Sequence, residues 1–148
     1  MIALRLVRLI EAHSDELVSE LLEKFQSCEH TQDMAKVPEH ELRQRVHEVL
    51  NHLGEWLLDK KEEDVRSRYL EVGLRRASQG VSLPSFCWAM VLTKQHIRDF
   101  IARQGFLRGA LEMYGELELL QLLDQFFDHA LCYATEGYEQ VRTTTAAA

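Results

Sequence analysis

Apolar residues recur along most of this chain at steps of three and four, the repeat of one helix face, and no stretch alternates as a strand would. Leu6, Leu9 and Ile10 open one such face, and Leu17, Leu21, Leu22 and Phe25 continue another. Ser14, followed by Asp15 and Glu16, reads as a helix N-cap with acidic first-turn residues, so residues 2–27 divide near His13–Ser14. Residues 28–37 have no periodicity and read as a loop. Pro38, with Glu39 and Glu41 behind it, starts a helix whose stripe of Leu42, Val46, Val49, Leu50, Leu53, Trp56 and Leu57 reaches about Asp59. A third stripe (Val65, Tyr69, Val72, Gly73, Ala77) runs from about Glu62 to Gln79 and stops at Gly80. Gly73, inside that helix, marks a place where another helix comes close. Ser82 caps the next helix, with Pro84 just inside it and Phe86, Ala89, Met90, Thr93, Ile97 and Phe100 as its buried stripe. A turn is expected around Gly105 and Gly109, and then a last helix from about Ala110 to Val141.

The pattern predicts an all-α fold of five or six helices: residues 1–142 as one domain and 143–148 as a flexible tail or linker. The last helix is apolar on more than one face. One face suffices for a core, so Leu119, Leu122, Phe126, Phe127 and Tyr133 are left as candidates for a second surface. Leu4 and Val7 lie off the Leu6, Leu9, Ile10 face in the same way. These seven residues are the expected interface of a two-fold symmetric homodimer.

Composition narrows the function. The 148 residues carry 17 Lys and Arg against 24 Asp and Glu, a net charge of −7, which disfavours nucleic acid and an anionic membrane surface as partners. The arginine pairs, Arg75–Arg76 and Arg43/Arg45, are interleaved with glutamates and read as a solvated salt-bridge surface. Three scattered cysteines, Cys28, Cys87 and Cys132, suit a reducing compartment. With no leader-like apolar run at the N-terminus and no span-length apolar segment, a cytoplasmic protein is expected.

Candidate chemistry is sparse. His47-Glu48-Val49-Leu50-Asn51-His52 resembles the zinc-protease H-E-x-x-H with one residue too many. Five steps rotate the second imidazole by about 500°, so the two histidines do not share a helix face. No Glu is followed three residues later by His, as di-iron bundles require, and no phosphate-binding glycine loop or nucleophile elbow occurs. An enzyme, a bound metal or a bound cofactor is therefore not expected. The sharpest alternative is a haem or small-ligand pocket built from His96, Trp88 and Phe86, with His96 as axial ligand. Ordinary packing of a helix histidine beside aromatic residues is the preferred reading, because no distal partner for His96 is identifiable.

One further pattern carries a likeness. Glu41-Leu42-Arg43-Gln44-Arg45, Tyr69-Leu70-Glu71 and Arg75-Arg76-Ala77-Ser78-Gln79-Gly80-Val81-Ser82-Leu83 resemble the N-terminal domain of RsbR-type regulators, the RsbT co-antagonist or stressosome sensor domains. Arg45, Arg76, Gln79, Gly80, Val81 and Leu83 are the matching positions, and Leu123-Asp124-Gln125-Phe126-Phe127 with Gly137-Tyr138 resembles the family's last helix. The resemblance implies a globin-like helical fold without haem, paired as a homodimer through its terminal helices. It also implies a signal-input role ahead of an output domain or a regulator protein. Because the chain closes within a few residues of Arg142, a lone sensor and the sensor part of a longer regulator are both open. The expected function is thus a non-catalytic signal-input and dimerisation domain of a bacterial stress or signal-transduction regulator; the alternative is a small-ligand or haem-binding globin-like sensor.

Overall fold

In the computed structural model, which describes residues 2–104 and 109–147, every long apolar stripe is a helix and no strand occurs among the described residues. The helices are α1 (Ile2–Ala12), α2 (Ser14–Ser27), α3 (Glu39–Asn51), α4 (Glu62–Ser78), α5 (Leu83–Arg103) and α6 (Ala110–Ala147). The expected turn at Gly105 lies outside the described residues.

Local signals set most of the boundaries. α1 and α2 part at His13, whose Nδ1–H donates to the Leu9 carbonyl over 2.9 Å and ties off the end of α1. Ser14 is not the cap expected of it. His13 holds the cap position, and Ser14 is the first helical residue, buried, with its hydroxyl donating to Asn51 Oδ1 of α3. α4 ends as glycine dictates: Gly80 has φ +81°, the Val81 amide reaches back to the Arg76 carbonyl and the Gly80 amide to Ala77. Ser82 caps α5, its Oγ accepting from the Ser85 amide, with Pro84 in the first turn.

Two connections differ from the sequence reading. Glu29–Lys36, expected as a loop, winds as 3₁₀ turns that bury Thr31 and Met34, and the Thr31 hydroxyl donates to the Phe25 carbonyl over 2.7 Å. The stripe expected to run unbroken to Asp59 is interrupted at His52 (φ −118°, ψ 30°) and continues as a π-helical turn over Glu55–Asp59. The wider turn shifts the phase of the side chains. Trp56 is thereby buried between Tyr69 and Phe126, ring centroids 6.0 and 5.6 Å away, while its indole N–H donates to the Glu48 carbonyl near the end of α3. Leu58 is left exposed.

α6 is the axis of the molecule. It packs most extensively on α4 and also on α1, α5 and the π turn. Gly73 does what a mid-helix glycine predicts: a Cβ there would overlap the Ala134 backbone of α6, and one at Gly137 would sit 2.5 Å from the Leu70 carbonyl oxygen of α4. The helix continues to Ala147, past Val141 and through the five described residues of the expected tail, for want of any glycine or proline to stop it.

Candidate functional site

Beside the Gly73 crossing, α3, α4 and α5 do not close completely. They enclose an apolar cavity of about 70 Å³, with Phe25 of α2 and Phe127 of α6 completing its wall. Val46, Val72, Phe86 and Met90 supply much of the remaining apolar surface. Tyr69 lies in the wall with its hydroxyl pushed to a higher pKa by burial and by the nearby Glu48 carboxylate. The Thr93 hydroxyl is spent on the Ala89 carbonyl at 2.7 Å.

Arginines stand at two points of this lining. Arg76 is only 2% exposed, which the solvated-surface reading of Arg75–Arg76 did not foresee. Its Nη1–H donates to Gln79 Oε1 (2.8 Å), Gln79 Nε2–H donates to Glu41 Oε2 (2.7 Å), and Arg75 Nε–H donates to Glu41 Oε1 (2.8 Å). Arg76 itself stands 3.6 Å from Glu41. Burial pulls the guanidinium below its ordinary pKa, opposed chiefly by Glu41, whose carboxyl is held below the usual range by the Arg75 hydrogen bond. A buried cation is tolerable only with such a hydrogen-bonded carboxylate. The sequence carried a signal for it: Val65, Tyr69, Val72 and Arg76 follow steps of four, three and four on one helix face.

The second point is the mouth, where Arg45, Glu48 and Arg68 are each about one third exposed. Glu48 accepts from Arg68 (2.8 Å) and Arg45 (3.2 Å), while the exposed Glu71 stands farther from both, at 3.8 and 3.6 Å. The cavity can admit a compact apolar group and meet an anionic one at its rim.

The three pocket candidates from the sequence are not brought together. Phe86 lines the cavity. Trp88 is exposed on α5 and stacks on His30 at 4.1 Å. His96 is buried between α5 and α2, with the Lys24 ammonium donating to Nδ1 (2.9 Å) and Nε2–H donating to the Leu17 carbonyl (3.2 Å). Both ring nitrogens are engaged, so the residues present do not fit an axially ligated haem. Burial, and then Lys24, lower the His96 pKa and keep the ring neutral. His47 of the H-E-x-x-x-H stretch faces Asp15 at 3.4 Å, and no group of three or more metal-ligating side chains converges among the described residues.

The seven interface candidates divide as well. Val7, Leu119, Phe126 and Phe127 are buried within the protomer, because α6 is surrounded by α1, α4 and α5 and uses its several apolar faces there. They are core residues, and the expectation that a partner covers them is corrected. Leu4 and Leu122 are half-buried, as is Tyr133, whose hydroxyl donates to Glu62 Oε1 (2.6 Å). Among the described residues, exposed large apolar side chains cluster instead in the first two turns of α6: Leu111 (71% exposed), Met113, Tyr114 (72%) and Leu117. There Glu112, Glu116 and Glu118 are the half-buried residues, so the usual amphipathic order is inverted. The spacing of Leu117 does not differ from that of Leu120 or Leu123, so periodicity alone does not separate an exposed position from a covered one here.

No helix among the described residues is long and apolar enough to cross a membrane. Comparison with curated proteins gives no match, and comparison with solved structures gives none. Residues 4–148 match the family model described as the RsbT co-antagonist protein rsbRD N-terminal domain. That match takes in the Glu41–Arg76–Gln79 cluster, the Gly73 crossing and α6 together, and the chain belongs to this family.

Proposed function

We propose that the chain is a non-catalytic, cytoplasmic signal-input domain of a bacterial stress regulator and that it works as a homodimer. Family membership across residues 4–148 carries the regulatory half of this reading. On this reading the partner is a regulator of the RsbT kind, after which the family is described, or an output domain that engages one. A helical bundle whose cavity is bordered by cations and whose long central helix touches most other elements suits the task, since a small change at the cavity moves α6.

The dimer rests on the inverted turns of α6. Four large apolar side chains facing water side by side are unusual on a soluble monomer, and a second copy of the same helix would cover them. Light scattering on wild type and Tyr114→Glu tests this half: a wild-type dimer at micromolar concentration and a folded monomeric variant are expected, and a wild-type monomer would end it. The regulatory half is tested in the parent cell with a stress-responsive reporter. Deleting the gene should alter its induction, and an unaltered response would remove the reading.

A further inference from the structure

The charge around the cavity runs against the charge of the chain. The protein carries −7 overall, yet the lining contains three arginines, Arg45, Arg68 and Arg76, and one carboxylate, Glu48. Arg76 is committed to Gln79 and Glu41. Arg45 and Arg68 are not committed to the same degree. They share Glu48 at hydrogen-bonding distance, and their second anion, Glu71, is 62% exposed at its side chain and stands off at 3.6 and 3.8 Å. Guanidinium groups match carboxylates in shape, and near an apolar wall the pairing strengthens because water screens it less. A free carboxylate at the mouth therefore meets two guanidinium groups that share Glu48 and hold only their second anion, Glu71, loosely.

Behind those donors the wall is apolar, and the volume sets the size of what enters. An apolar cavity of about 150 Å³ admits benzene. One of about 70 Å³ admits a short alkyl group and excludes a haem or a long acyl chain, since larger ligands occupy pockets of roughly 300–1,000 Å³.

We infer that this cavity binds a short-chain monocarboxylate, with its alkyl group between Val46, Phe86 and Phe127 and its carboxylate on Arg45 and Arg68 in place of Glu71. The site stands on its own geometry, and only its role as the sensed input rests on the regulatory reading above. Recognition would be twofold. The alcohol of the same shape fills the cavity and leaves the arginines to Glu71, whereas a carboxylate too bulky for the cavity finds the arginines and no room for its tail.

Met34 and Met90 line the cavity, and Met113 lies on the far surface of α6, so methionine methyl resonances report occupancy with a control built in. The intact chain is titrated with isobutyrate and with isobutanol, by calorimetry and by methyl spectra. Isobutyrate should bind one to one, shift Met34 and Met90, and leave Met113 in place. Isobutanol should bind at least about tenfold more weakly, as loss of a charge-assisted hydrogen bond implies. Arg68→Gln should weaken isobutyrate by a similar factor. Glu71→Gln, an exposed change, should tighten it several-fold by removing the competitor. Three results would overturn the site: no shift at Met34 and Met90 up to about 10 mM, equal affinity for acid and alcohol, or weaker binding by Glu71→Gln. None of these touches the reporter response or the oligomeric state, so failure here and failure of the regulatory reading are separable.

Discussion

The two ends of α6 are written in the same residue types and serve opposite purposes. Between Leu119 and Tyr138 its central apolar row, which includes Leu123, Phe126, Phe127 and Ala130, is buried against the other helices, and Ala134 and Gly137 let α4 approach to backbone contact. From Leu111 to Leu117 comparable side chains face water while glutamates lie half-buried. Apolar density along a helix therefore reports that something must cover it, without reporting whether the cover is the same chain or another one.

The contrast is broken most forcefully at Phe127. Phe127→Glu places an unpaired carboxylate in the core and at the cavity wall, and should cost more than about 4 kcal/mol, leaving the chain largely unfolded by circular dichroism. A folded, monomeric Phe127→Glu protein would mean that this stretch of α6 faces a partner after all. The next largest effect is expected at the helix crossing. Gly73→Ala must push α4 off Ala134, and overpacking of this kind costs about 2–3 kcal/mol in urea unfolding. A loss below about 0.5 kcal/mol would show that the two helices slide apart freely.

At the exposed end, Tyr114→Glu should change the protomer's own stability by less than about 0.5 kcal/mol while dissociating the proposed dimer, the reverse of Phe127→Glu. Tyr138→Phe sharpens the buried end. Its hydroxyl is the one buried side-chain polar atom among the described residues without a hydrogen-bond partner, so removing it should leave stability unchanged or raise it by up to about 1 kcal/mol. A clear loss would assign that hydroxyl a partner of its own.

What could be read from the sequence was what depends on a few neighbouring residues. The division at His13, the stop at Gly80 and the start at Ser82 each follow from local backbone chemistry, and Gly73 pointed to a close crossing because little else explains glycine in mid-helix. The π turn at Glu55–Asp59 escaped because it is chosen by where Trp56 must pack, against Tyr69 and Phe126 far along the chain. Arg76 escaped for a related reason. A glutamate 35 positions earlier makes its burial tolerable, and although the spacing puts Arg76 on the buried face of α4, nothing near it in the chain names that partner. The cavity follows from the fit of five helices and has no signature of its own. His96 packs between α5 and α2, and its tether to Lys24 could not be anticipated from spacing along the chain.

That tether makes the fold a proton acceptor in waiting. Lys24 and Glu20 of α2 and Arg103 of α5 act on His96, and the balance, led by burial, lowers its pKa in the folded chain. An unfolded chain takes up a proton at this imidazole near pH 6.5, before the folded one does. Stability is then level above that point and drains away as the pH falls from there toward the folded value. Asp33, Glu41 and Glu62, whose carboxyls are held low, release their share only further into acid, below the ordinary values of 3.8 for the aspartate and 4.5 for the two glutamates. Mild acidification thus loosens first the seam between α2 and α5 that the Lys24–His96 contact closes.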